Sequence, residues 1–201
     1  MSPLQAMQIS LDGIVFKPSD EQVRADCLAP FAGHELGCPN YGTTYGCPPY
    51  APSIDEFKVI LAEYRFYYLV YGEIVLGSDT VDPVEEKAKY AAMQLEVDSF
   101  IMFLQDTLEN VFIIHGYGCH YCERVGEGSC ACPDEPCRHP EKRTYSISVA
   151  FDIVATMNTA GIPMELNPAD GSHVYRRISI VASKERLQFD RLFQEFEEYR
   201  D

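Results

Sequence analysis

Five of the chain's eight cysteines fall between Cys119 and Cys137, inside the stretch GCHYCERVGEGSCACPDEPCRHPEK at residues 118–142. Glycine, proline and charged residues separate them, with almost nothing apolar between. Such a loop has no side chains from which to build a core of its own. It needs a staple, either disulfides or a metal enclosed by its thiolates.

The chain's opening bears on which staple to expect. MSPLQAMQISLDGIVF lacks the basic stretch and apolar run of an export signal. No apolar run nears the ~18 residues of a membrane span. A cytoplasmic protein is therefore expected, and there cysteines serve as metal ligands or redox groups rather than structural disulfides. The 31 acidic residues outnumber the 16 basic ones, for a net charge of -15. That excess repels nucleic acid and anionic lipid, so neither is expected as a partner. It suits a basic docking partner, such as a redox partner protein, although solubility is the simpler reading.

Two cysteine loops, residues 27–52 and 118–142, interrupt α/β patterning. Ser53-Ile54-Asp55-Glu56 is a capping box and predicts a helix to about Tyr64. RFYYLVYGEIVL, rich in aromatic and β-branched residues, predicts a buried strand. Asp82-Pro83-Val84-Glu85 opens a second helix that runs to about Glu109. VFIIHGYG predicts a short strand leading into the second cysteine loop. SISVAFDIVATMNTA predicts a helix stopped by Gly161 and Pro163. IPMEL and VYRRISIVAS predict strands. KERLQFDRLFQEFEEYR predicts a final amphipathic helix with Ser183 as its cap and Phe189, Leu192, Phe193 and Phe196 on its core face. The expected fold is α/β (or α+β). It is one domain over residues 1–201, with a single mixed sheet of about four strands covered by helices and the two cysteine loops at one edge.

The second loop reads Cys119-x2-Cys122-x7-Cys130-x-Cys132-x4-Cys137. A C-x2-C pair joined to a later cysteine pair is the arithmetic of a four-thiolate site. The preferred four are Cys119, Cys122, Cys132 and Cys137, with Cys130 spare. A thioredoxin-like C-x-x-C is the rival reading, but ERVGEGSCACPDEPC cannot form the helix that such a motif needs. The first loop reads Cys27-x10-Cys38-x8-Cys47. It supplies three thiolates and leaves the fourth ligand to His34, Cys130, a carboxylate or an exogenous molecule; alternatively, its cysteines are merely buried. His139, two residues after Cys137, fits a hydrogen-bond donor near the metal better than a ligand. Arg138 and Lys142 are placed to tune the charge of a thiolate cluster. Neither a phosphate-binding glycine loop nor a nucleophile elbow is present.

CPNYGTTYGCPPYAPSIDEF and GCHYC…CPDEPCRHPEK together resemble a family of predicted metal-binding proteins typical of anaerobic bacteria and archaea. The resemblance covers roughly residues 20–182. It implies a metal but no reaction. Cys38, Cys47, Cys119, Cys122, Cys132 and Cys137 stand at the family's cysteine positions, Cys27 follows a variable spacing, and Cys130 is an addition.

The expected function is an iron–sulfur protein with one or two [4Fe–4S] clusters, acting in electron transfer or redox chemistry. Cysteine–proline junctions, the count of eight and the family's anaerobic setting favour iron–sulfur over zinc. The alternatives are a zinc-stabilised, non-enzymatic interaction module and a metal carrier or assembly factor.

Overall fold

The computed structural model describes residues 4–31, 33–76, 83–116, 118–164 and 173–200. In chain order the elements are β1 (Gln5–Ile9), α1 (Asp20–Leu28), α2 (Ile54–Ala62), β2 (Phe66–Leu76), α3 (Pro83–Thr107) and β3 (Val111–His115). There follow the single turn α4 (Tyr121–Arg124), then β4 (Tyr145–Ser146), α5 (Ile153–Thr159), β5 (His173–Ser183) and α6 (Phe189–Arg200). Among the described residues five strands form one sheet in the order β1-β2-β5-β3-β4. Its pairs are antiparallel except β3 with β4.

The sheet is covered on both faces, and the alternation of side chains along β2 divides the core in two. Tyr67, Leu69 and Tyr71 join Ile178 and Ile180 of β5 beneath α2 and α5. Tyr68, Val70 and Ile74 face the other way, with Val181, and meet α3 and α6. A strand buried on both faces reads as an unbroken apolar run, which is how β2 stands out in the sequence. The capping box at Ser53 forms as expected, with each partner bonding the other's backbone. α3 turns Met93, Val97, Phe100 and Leu104 onto the sheet at helical spacing.

Three local expectations are corrected. Residues 146–160 do not form one helix. Tyr145 and Ser146 pair with β3, residues 147–149 make a 3-10 turn, and Asp152 caps a shorter helix by accepting from the Ala155 backbone nitrogen at 2.9 Å. Ile147, Val149 and Phe151 are all buried by this path, which a straight helix would not allow. Within IPMEL, residues 162–164 are not a strand: Ile162 N closes the end of α5 on the Met157 carbonyl, and Asn158 holds the Met164 backbone. Residues 165 and 166 lie outside the described residues. α6 starts at Phe189 rather than after Ser183, because Ser183 ends β5 and Leu187 N donates to the Tyr68 hydroxyl. β1 and α1 are additions to the expected elements, β1 pairing along Tyr67–Tyr71 at the far edge.

Candidate metal site

Both cysteine loops are pinned at the β4 edge. The second loop leaves the end of β3 and rejoins the sheet at β4, and Ser146 N on β4 donates to the Gly46 carbonyl of the first loop at 3.0 Å. Tyr45 bridges the loops, its hydroxyl donating to the Glu135 carbonyl at 2.7 Å. All eight cysteines are free.

Cys27 stands in the last turn of α1, and Cys38 N donates to its carbonyl at 2.7 Å. Cys47 is buried in a turn closed by its own N–H to the Thr44 carbonyl. Three glycines allow these segments to touch. A Cβ on Gly37 would stand 2.6 Å from the Cys27 oxygen, one on Gly46 would stand 2.8 Å from Cys119 N, and one on Gly118 would stand 2.9 Å from Cys47 Sγ. At Gly37 and Gly46 no side chain fits without moving backbone, and at Gly118 one would press on the Cys47 and Thr44 side chains. Cys47 thus has Cys38, Cys27 and Cys119 as its thiol neighbours. Burial pushes its thiol up to about 11. The nearby Thr44 hydroxyl pulls the other way, and the neighbouring thiols add to the rise.

That Thr44 hydroxyl fits a metal–thiolate site. Thr44 is only 7% exposed, and its Oγ1 has no well-aligned hydrogen-bond partner. The Cβ position of Gly118 lies 3.0 Å from it and 2.9 Å from Cys47 Sγ. A buried orphan hydroxyl costs about 1–3 kcal/mol. A thiolate, unlike a thiol, is a strong acceptor for it.

The remaining cysteines gather in the second loop. That loop folds on itself through Glu127 N to the Cys122 carbonyl at 2.9 Å and Glu135 N to the Ala131 carbonyl at 3.0 Å. Arg138 donates to the carbonyls of Glu127 and Ser129. Cys122 and Cys132 are buried, whereas Cys130 and Cys137 are half-buried. The thiol neighbours of Cys122 are Cys130, Cys119 and Cys137, and those of Cys132 are Cys130 and Cys137. Burial raises the thiol pKa of both Cys122 and Cys132. Arg138 opposes it at Cys122; at Cys132, Cys130 adds to the rise and Arg143 opposes it. Cys119, Cys122, Cys130 and Cys137 line one small recess together with Tyr45 and Arg143. The Arg143 guanidinium lies 5.2 Å from the Tyr45 ring centre and reaches the Cys137 thiol. A second donor set overlaps this one. Ligand atoms of Cys122, Glu127 and His139 lie within 4.8 Å of one another, with His139 Nε2 2.9 Å from Glu127 Oε2.

Behind the second loop, at the end of β3, sits a buried ionic group. Asp98 accepts from Arg177 Nε at 2.7 Å and from Arg177 NH2 at 3.1 Å, and lies 3.0 Å from His115 Nε2. A carboxylate only accepts, so His115 Nε2 carries the proton and Nδ1 accepts from the Ser179 hydroxyl at 2.6 Å. Burial holds the His115 pKa below its ordinary value, and Asp98 opposes it. At Asp98 burial acts upward, but the hydrogen bonds from His115 and Arg177 prevail and leave the carboxyl below its usual range.

The structure therefore brings the two sequence-predicted loops together and joins Cys119 to the first. His34 is exposed and packs against Phe31, the rings tilted with their centres 4.6 Å apart. Lys142 is turned to the Gln105 carbonyl at 2.6 Å. Arg143, Tyr45 and Thr44 are site residues that the sequence did not single out. The signal for Thr44 and Tyr45 was their place between glycines in YGTTYGC. Among the described residues no helix is long and apolar enough to cross a membrane.

A family model described as "Predicted metal-binding protein (DUF2284)" matches residues 9–181. No curated protein and no solved structure matches the chain.

Proposed function

The chain belongs to that family of predicted metal-binding proteins, and from this premise we propose that it is an iron–sulfur protein that carries single electrons between protein partners. One observation carries the reading: eight free cysteines from two distant loops converge at one edge of the sheet. Eight thiolates match the ligand demand of two [4Fe–4S] clusters.

A cluster bound there supplies one-electron transfer, with no bond made or broken. One electron enters from a one-electron donor protein and one leaves to an acceptor. The chain's own residues do the rest. Cys27, Cys38, Cys47, Cys119, Cys122, Cys130, Cys132 and Cys137 supply thiolate sulfur. Thr44 and Arg143 place a hydroxyl and a positive charge against it, which favours the reduced, more negative state. The second loop faces solvent, and Glu123, Glu127, Asp134 and Glu135 on it are exposed. Those carboxylates suit a partner with a basic docking face.

The test is the visible and electron paramagnetic resonance spectrum of protein purified without oxygen. A broad absorption near 400 nm, about the region of sulfur-to-iron charge transfer, should bleach on reduction with dithionite as a paramagnetic signal appears. A colourless protein with no signal would overturn the reading.

The grouping of Cys122, Glu127 and His139 favours a second reading, a zinc-stapled interaction module. Mixed sulfur, nitrogen and oxygen donors suit zinc. On that reading His139→Ala removes metal. On the iron–sulfur reading it leaves the metal content unchanged.

A further inference from the structure

Spacing pairs Cys119 with Cys122, and the folded chain keeps them neighbours, but it also sets Cys119 beside Cys47 of the first loop. Three close glycine contacts at the two loops include a cysteine of one set: Gly37 meets Cys27, Gly46 meets Cys119 as well as Thr144, and Gly118 meets Cys47. Each of those glycines also immediately precedes a cysteine, in Gly37-Cys38, Gly46-Cys47 and Gly118-Cys119. Cys38 is tied to Cys27 through its backbone N–H. These contacts bring together α1, the first loop and the start of the second, and leave Cys47 with Cys38, Cys27 and Cys119 as its thiol neighbours. Thr44 is 7% exposed, and its hydroxyl, without a well-aligned partner, borders the same Gly118 position as Cys47 Sγ. Four cysteines are then left, all in the second loop: Cys130, Cys132 and Cys137 gather around Tyr45, and Cys122 neighbours Cys130 and Cys137. No preceding glycine is shared by that group: Tyr121, Ser129, Ala131 and Pro136 come before them.

We propose that the C-x2-C is split between two four-thiolate metal centres, one held by Cys27, Cys38, Cys47 and Cys119 and the other by Cys122, Cys130, Cys132 and Cys137. The proposal rests on the metal-binding reading but not on which metal binds. It makes Cys130 an obligatory ligand rather than a spare. It supplies the fourth thiolate that the first loop lacks. It also ties the two centres together through the two residues between Cys119 and Cys122, so the centres sit side by side.

The test compares Cys27→Ala, Cys119→Ala and Cys130→Ala by metal and sulfide content per chain and by the spectrum of the dithionite-reduced protein, each checked for folding by far-ultraviolet circular dichroism. Every variant should retain about half of the wild-type metal. Cys119→Ala should share its residual spectrum with Cys27→Ala and differ from Cys130→Ala. A Cys119→Ala spectrum matching that of Cys130→Ala, or full metal in Cys130→Ala, would overturn the split. If a variant does not fold, the wild type decides alone: two adjacent reduced clusters give a spectrum broadened by spin–spin coupling, and a single uncoupled signal contradicts the proposal. Wild-type protein loaded with zinc would sink the iron–sulfur reading. The split would then be read as loss of one zinc of two in each variant, and loss of both or neither would refute it.

Discussion

Gly46 and Cys119 lie so close that a methyl group on the glycine would stand 2.8 Å from the cysteine's backbone nitrogen, and 2.5 Å from the Thr144 carbonyl oxygen. Neither neighbour is a flexible side-chain end that could swing aside. Gly46→Ala must therefore push the first loop away from the second. The expected cost is about 1–3 kcal/mol in a denaturant titration, together with a loss of metal from the Cys47 side. Unchanged stability and metal content would show that the loops are not locked here.

Thr44→Val separates two states of the protein by sign. In metal-free protein the substitution removes a buried hydroxyl without a good partner, so stability should hold or rise by up to about 1–3 kcal/mol. In metal-loaded protein it removes a donor to Cys47 sulfur and should lower the reduction potential. A metal-free protein weakened by the change would mean that the hydroxyl already has a good partner.

Phe57 is fully buried, with its ring 5.3 Å from those of both Tyr145 and Phe151. It joins α2 to the segment that returns from the second loop. Phe57→Ala should cost about 3–5 kcal/mol, measured as a shift in urea midpoint. A loss under about 1 kcal/mol would mean that the site collapses without harm.

Acid should weaken the fold through His115. Its folded pKa lies below the ordinary value, so the unfolded chain takes up the proton first. The contribution is whole above about pH 6.5 and is lost as pH falls from there toward the folded value. Asp98, also lowered, adds a second loss when pH falls below the ordinary carboxylate range. The stability gap between wild type and His115→Gln should therefore narrow from pH 7.5 to pH 5. A gap that widens would mean that His115 is charged in the fold.

The sheet core was legible because its signals are local. β2 is a long β-branched and aromatic run, and α2 and α3 open on capping or proline signals. α1 was missed because only Val23 on it is buried, which leaves no apolar stripe to see. Residues 146–160 misled because an apolar run is the same string whether it winds as a helix or threads the core as a turn. The cysteine loops themselves were plain in the sequence. The company of Cys119 was not, because spacing reports neighbours along the chain, while its contact with Gly46 and its place beside Cys47 cross some seventy residues. The repeated Gly-Cys dipeptide was the available clue.

Iron, zinc and acid-labile sulfide per chain, measured on protein expressed and purified without oxygen, test the central claim most directly. About eight irons and eight sulfides per chain are expected for two [4Fe–4S] centres on eight thiolates. Stoichiometric zinc without sulfide would contradict the iron–sulfur assignment and leave the two loops as a structural staple.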